Sequence, residues 1–197
     1  MKKFKTIFVG ENEVGKTTLL ITYDLKYLPE KYLPTAYDDF SKIYKIEENK
    51  EIEIEFWDKG MSENNDNFTR FIYDQTDVIA ICFAIDNRSS FQNIESFWIL
   101  EIEHYSPNSK IILIGTKIDL RNNEERINEL KEENQKLITK EEGMDLAKKI
   151  KAIKYFECSS LNQKGIETIF NEIMLICIGK YDGINQEKQK KKGCILN

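Results

Sequence analysis

A chain of 197 residues makes one domain with appendages and is long enough to bury a sizeable core. With 41% hydrophobic and 32% charged residues it reads as soluble and globular, and a net charge of −5 argues against broad electrostatic binding to nucleic acid. Cys82, Cys158, Cys177 and Cys194 lack metal-like pairing, no apolar stretch is long enough to span a bilayer, and the N-terminus runs straight into a strand. The expectation is a cytosolic protein without a signal peptide.

Residues 4–9, mostly apolar around Lys5 and Thr6, predict a first strand. Gly10-Glu11-Asn12-Glu13-Val14-Gly15-Lys16-Thr17 follows and fits G-x-x-x-x-G-K-[ST], a loop whose backbone N–H groups cradle phosphate at a helix N-terminus. Residues 16 to about 26 predict the first helix. Residues 40–46 and the alternating Ile52, Ile54, Phe56 against Glu51, Glu53, Glu55 form a hairpin, so one sheet pair is antiparallel. The continuous apolar runs 78–83 and 111–114 suit central parallel strands. Phe91, Ile94, Trp98, Ile102 and Tyr105 make one helical stripe, and Ile166, Ile169, Phe170, Ile173, Met174 and Cys177 another. Residues 153–157 give a short last strand, and 121–138 an exposed, charged extra helix outside the core. From about 179 the Lys-rich tail has no core periodicity and reads as disordered. Strand and helix alternate, which predicts an α/β fold with a mainly parallel sheet.

Three further segments narrow the chemistry. Asp58 closes the third strand, placing a carboxylate near the phosphates where a Mg²⁺ contact becomes available. Thr116-Lys117-Ile118-Asp119 follows the run 111–114; a carboxylate there accepts from N1–H and the exocyclic amine of guanine, and Lys117 lays its stem along the base. After the last strand, Cys158-Ser159-Ser160-Leu161 offers a backbone N–H to the guanine carbonyl.

On these motifs, in this order and over residues 4 to 197, the chain resembles a small GTPase of the Ras superfamily and, within it, a Rho/Rac member that is atypical in switch II and the P-loop. The resemblance implies a P-loop small-GTPase fold: a six-stranded, mostly parallel sheet with one antiparallel strand, helices on both faces and an insert helix at about 122–138. The G domain would span 1–178, and 179–197 would be a polybasic tail. It implies GTP/GDP and Mg²⁺ as cofactors. Glu13, Val14, Gly15, Lys16, Thr17, Thr18, Leu28, Tyr32, Thr35, Lys117, Asp119, Leu120, Ser159, Ser160 and Leu161 would contact nucleotide. Thr17, Thr35 and Asp58 would hold the metal. Lys16, Thr35 and Ser62 occupy the catalytic positions. Tyr37, Asp38 and Phe40 are candidate effector contacts. Cys194-Ile195-Leu196-Asn197 resembles a prenylation box, with upstream lysines as the second membrane signal. The implied partners are effectors, exchange factors, GTPase-activating proteins, dissociation inhibitors and the inner membrane surface, around a monomer in the cytoplasm or on a membrane's cytoplasmic face, with actin control as the family's usual output.

Departures from the family pattern cluster around the nucleotide. Asn12 stands where the family has glycine. The family reads Asp-Thr-Ala-Gly-Gln-Glu where this chain reads Asp58-Lys59-Gly60-Met61-Ser62-Glu63. Met61 replaces the glycine that meets the γ-phosphate, and Ser62 is too short to orient water as the glutamine does. Leu28 replaces a phenylalanine against the guanine edge. Weak hydrolysis and fast exchange follow as expectations.

Other readings stand beside these. Asn12, Met61 and Ser62 are compatible with drift repaired elsewhere. The 124–133 run is most simply a solvated face, and the lysines a solubilising tail. His104 reads as a surface residue and the internal cysteines as inert thiols. Functional rivals are a pseudo-GTPase binding module with structural nucleotide, and a P-loop kinase or ATPase, against which the Thr-Lys-x-Asp motif speaks.

Overall fold

The computed structural model describes residues 1–29, 39–60 and 66–181. Six strands form one sheet: β1 (Lys2–Val9), β2 (Phe40–Glu47), β3 (Lys50–Lys59), β4 (Val78–Ala84), β5 (Lys110–Thr116) and β6 (Lys154–Glu157), in the order β2-β3-β1-β4-β5-β6. Among the strands of the described residues, only β2 pairs antiparallel to its neighbour, through the Glu48-Asn49 turn. This is the sheet that the alternation of patterns predicts. All seven residues of β4 are buried, because it lies between two strands and under helices on both faces. In β3, Ile52, Ile54 and Phe56 turn inward, whereas Glu53 faces the other side and pairs with Lys3 at 2.9 Å.

One face carries α1 (Lys16–Leu25) and α7 (Ile166–Cys177) over a core that includes Phe8, Leu19, Tyr23, Phe56, Ile169 and Phe170. Phe170 stacks on Tyr23 with ring centroids 3.5 Å apart and meets Phe56 edge-on at 5.1 Å. The other face carries α2 (Asp66–Tyr73), α3 (Arg88–Asn93), α4 (Ile99–Tyr105) and α6 (Lys140–Lys149) over Ile7, Val9, Ile81, Phe83, Trp98 and Leu113. Among the described residues no helix is long and apolar enough to cross a membrane.

Three local outcomes differ from the sequence expectations. The 91–105 stripe is not one regular helix, because a π-helical turn at Ile94–Trp98 separates α3 from α4. Within the expected extra helix at 122–138 only α5 (Glu124–Glu132) is helical. Asn134 turns the chain through the left-handed region, and Ile138 is fully buried, its N–H donating to Ile85 O at 2.8 Å, so the segment's end belongs to the core. Finally, α6 has no counterpart in the periodicity. It starts on a capping box in which Thr139 and Glu142 exchange side chain–backbone hydrogen bonds.

Phe170→Ala is expected to lower the unfolding free energy by about 3–5 kcal/mol, as phenylalanine truncation in a packed core does. Urea denaturation at saturating GDP measures it, and a loss under about 1 kcal/mol would contradict this packing.

Candidate functional site

Parallel pairing brings the C-terminal strand ends to one rim. Phe8 aligns with Asp58 across β1 and β3, Val9 with Ile81, and Ala84 with Thr116. The loop 10–15 lies on this rim. Gly10 has φ 147°, and a Cβ there would sit 2.3 Å from the Cys82 carbonyl oxygen, so only glycine lets the loop leave β1. Gly15, at φ 93°, starts α1 with no side-chain cap, so the helix's first N–H groups are open to an anion. Glu13 also adopts a positive φ, 63°. The loop is pinned from behind: the Thr116 hydroxyl donates to Val14 O and lies 3.0 Å from Phe83 O.

Inside this rim lies a compact charged group. Lys16 is buried and its Nζ donates to Gly10 O at 2.8 Å and Glu11 O at 2.7 Å. Burial pushes its ammonium pKa down, and the Asp58 carboxylate opposes that shift. The Thr17 hydroxyl donates to Asp58 Oδ2, while Asp58 Oδ1 is buried and has no hydrogen-bond partner among the described residues. Burial pushes the Asp58 carboxyl up, against Thr17 and Lys16. A half-satisfied buried carboxylate beside a threonine hydroxyl is a hard-oxygen donor pair that fits a divalent cation, and the open oxygen is where one would bind. Thr18 is exposed on the first turn of α1.

A second group sits at the ends of β5 and β6. Lys117 adopts the left-handed conformation, φ 59°, before the short 3₁₀ turn at Ile118–Asn122 that contains Asp119 and Leu120. The Ser159 hydroxyl donates to Asp119 Oδ1, and the Ser159 N–H donates to Lys164 O at 3.0 Å. Ser159 therefore supports the aspartate, and its own amide is not free for a base carbonyl; Ser160 and Leu161 follow in the same loop. Lys117 Nζ lies 3.9 Å from Asp86 Oδ1, and Arg126 on α5 holds the other Asp86 oxygen at 3.0 Å. That link between the charged helix and the Lys117 region escaped the sequence, since Arg126 and Asp86 lie in unrelated segments.

Of the remaining candidates, Leu28 and Phe40 are half-buried at the borders of the described segments. Tyr32, Thr35, Tyr37, Asp38, Met61, Ser62 and Cys194 lie outside the described residues. Asn12 is exposed on the loop, and neighbouring Glu11 accepts from Asn93 Nδ2 of α3. His104 is exposed on α4; Cys82 and Cys158 are buried free thiols, and burial pushes Cys158 up to about 12, so neither is a nucleophile. An open groove of about 770 Å³ between the β2–β3 hairpin and the end of α7 lies at the opposite rim, away from this chemistry.

Lys59 is the residue whose importance the sequence concealed. It stands where the family has threonine, yet its side chain is buried 3.0 Å from Glu101.

A phosphate-type loop, a strand-end carboxylate beside its threonine, and a serine-supported aspartate after a left-handed lysine thus share one rim of the sheet. A family model described as Ras family matches residues 5–178. The chain belongs to the Ras family of small GTPases, which bind guanine nucleotide and switch between GTP and GDP states.

Proposed function

We propose that this chain is a Rho-like member of the family: a membrane-anchored switch with weak intrinsic hydrolysis and fast nucleotide exchange, signalling to the cytoskeleton. The observation that carries the site assignment is Asp58, with one oxygen on the Thr17 hydroxyl and the other buried and unpartnered. Thr17 and Asp58, joined by Thr35, would hold Mg²⁺. That ion would neutralise charge on the β- and γ-phosphates and fix their orientation. Lys16 is already inside the loop and would exchange its bonds to Gly10 O and Glu11 O for phosphate oxygens. The amides of 13–18 would line the phosphates. Asp119, braced by Ser159, would read the guanine edge, with Lys117 and Leu120 along the ring and an amide of Ser160 or Leu161 on the carbonyl.

Weak hydrolysis rests on the residues at three positions. Phosphoryl transfer depends on positioning and charge stabilisation. Ser62 cannot span the distance that a glutamine does, Met61 replaces a glycine, and Asn12 stands exposed on the phosphate loop where a water or an arginine finger would need room. Leu28 keeps apolar contact with a base but lacks an aromatic face. The Rho assignment draws on the charged helix α5 and on Thr116-Lys117-Ile118-Asp119-Leu120-Arg121. Membrane attachment draws on Lys188, Lys190, Lys191 and Lys192 before Cys194: one lipid chain anchors only marginally, and a basic patch adds attraction to anionic lipid. The division into a G domain of 1–178 and a tail of 179–197 draws support from α7 ending at Cys177, and effectors, exchange factors and other regulators would be the partners.

In a single-turnover assay, GTP hydrolysis should fall below the intrinsic rate of about 3–5 × 10⁻⁴ s⁻¹ typical of Ras, with release of fluorescent GDP faster than its family norm. A hydrolysis rate at or above that value contradicts the weak-hydrolysis reading. Asp119→Ala should weaken GTP binding by about 10²-fold or more, since two charge-assisted hydrogen bonds are lost at about 1.5–3 kcal/mol each. Competition between GTP and ATP checks this, and an unchanged preference for GTP would contradict the assignment of Asp119.

A further inference from the structure

Lys59 ends β3, one residue past Asp58, and its side chain is only 2% exposed. Its Nζ lies 3.0 Å from Glu101 Oε1 on α4, and the Tyr73 hydroxyl at the end of α2 donates to the same oxygen at 2.7 Å. The rings of Trp98 and Tyr73 stand 5.3 and 5.7 Å from that ammonium. Tyr73 is held in turn by stacking on Tyr105. A strand end and two helices therefore meet on one buried cation.

Such a pair is a poor way to gain stability alone, because desolvation offsets most of its attraction and apolar residues of similar volume often serve as well. What it supplies is a fixed position. Removing Glu101 would strand the Lys59 ammonium in the core, whereas Glu101 without Lys59 keeps the Tyr73 hydroxyl. The helical segment that carries Glu101 also reaches the phosphate loop, since Asn93 donates to Glu11 on the far side of the π turn. The turn sets the rotation between these two attachments, so one helical segment braces both the loop and the strand end.

We propose that Lys59 is a positioning residue for the divalent cation: through Glu101 and Tyr73 it fixes the β3 end and thereby holds the Asp58 carboxylate toward the Thr17 hydroxyl. The proposal rests on the reading of Thr17 and Asp58 as the metal ligands. It makes the β3 end a fixed strut.

The deciding variant is Lys59→Met with Glu101→Gln, which keeps the Glu101 side-chain length, shortens Lys59 by only its terminal nitrogen, buries no lone charge and still gives the Tyr73 hydroxyl an oxygen to donate to. Retention of fluorescent GDP by the full chain is followed while Mg²⁺ is titrated against a chelator. The Mg²⁺ concentration for half-maximal retention should rise on the order of tenfold or more, the usual cost of losing a group that orients a metal ligand. GDP affinity at saturating Mg²⁺ should stay within about threefold, a split that loss of folding alone would not give. Lys59→Met alone, with Glu101 still partnered by Tyr73, should shift the same way. An unchanged Mg²⁺ requirement, or an equal loss of GDP affinity at every Mg²⁺ concentration, overturns the proposal. Wild-type protein that holds GDP equally with and without Mg²⁺ overturns the metal-site reading beneath it.

Discussion

A carboxylate held at the end of a buried strand is costly unless donors or a cation meet it. Around Asp58 that cost is only half relieved: Thr17 satisfies one oxygen, and the other has no partner among the described residues. The rest of the site can be understood as what keeps this half-satisfied group in place. Parallel pairing sets Asp58 beside Phe8, two residues before the loop begins, and the turn at Gly10 then carries Thr17 back over it. Lys16 sits in the same pocket and opposes the upward drift of the carboxyl pKa. Strand register, loop geometry and electrostatics converge on one unfilled acceptor.

The fold answers the problem of anchoring a loop that must stay open to an anion. The loop cannot be packed from its ligand side, so it is held from behind and from the flank. The Thr116 hydroxyl fixes Val14 from β5, and Asn93 fixes Glu11 from α3. The Ser159 hydroxyl similarly holds Asp119 from the β6 side. Arg126 reaches from α5 to Asp86, which faces Lys117, so even the charged surface helix touches the rim proposed to hold the base. Each support is a hydrogen bond or ion pair between elements far apart in sequence.

How much of this was legible follows from the range of the interactions. The phosphate loop, the strand-end Asp58 and Thr116-Lys117-Ile118-Asp119 are local patterns, and the strands announce themselves by alternation or by continuous apolar runs, so a mainly parallel sheet with one antiparallel hairpin could be anticipated, whereas the strand order could not. Helix α6 was not, because it buries few large apolar side chains; the signal it did carry was Thr139 three residues before Glu142. The π turn hides inside the 91–105 stripe, whose 3-4-4-3 spacing suits an unbroken helix equally well. Ser159 looked like a base contact because its position is right; only the bridge to Lys164 commits its amide elsewhere. Lys59 looked like a polar change in a motif, and the partners that bury it come from two helices further along the chain.

Asp58, with one oxygen on Thr17, would be the protein's own metal ligand, and the cation it holds would add to the grip of the loop and Asp119 on guanine nucleotide. The most direct test is the equilibrium affinity for GDP with Mg²⁺ and with chelator, in wild-type protein and in Asp58→Asn. The account predicts that Mg²⁺ tightens GDP binding by at least about tenfold in the wild type, as a lost ligand contribution of about 1.4 kcal/mol or more requires, and that most of this gain disappears in the variant. An Asp58→Asn protein that keeps the full Mg²⁺ dependence would contradict it.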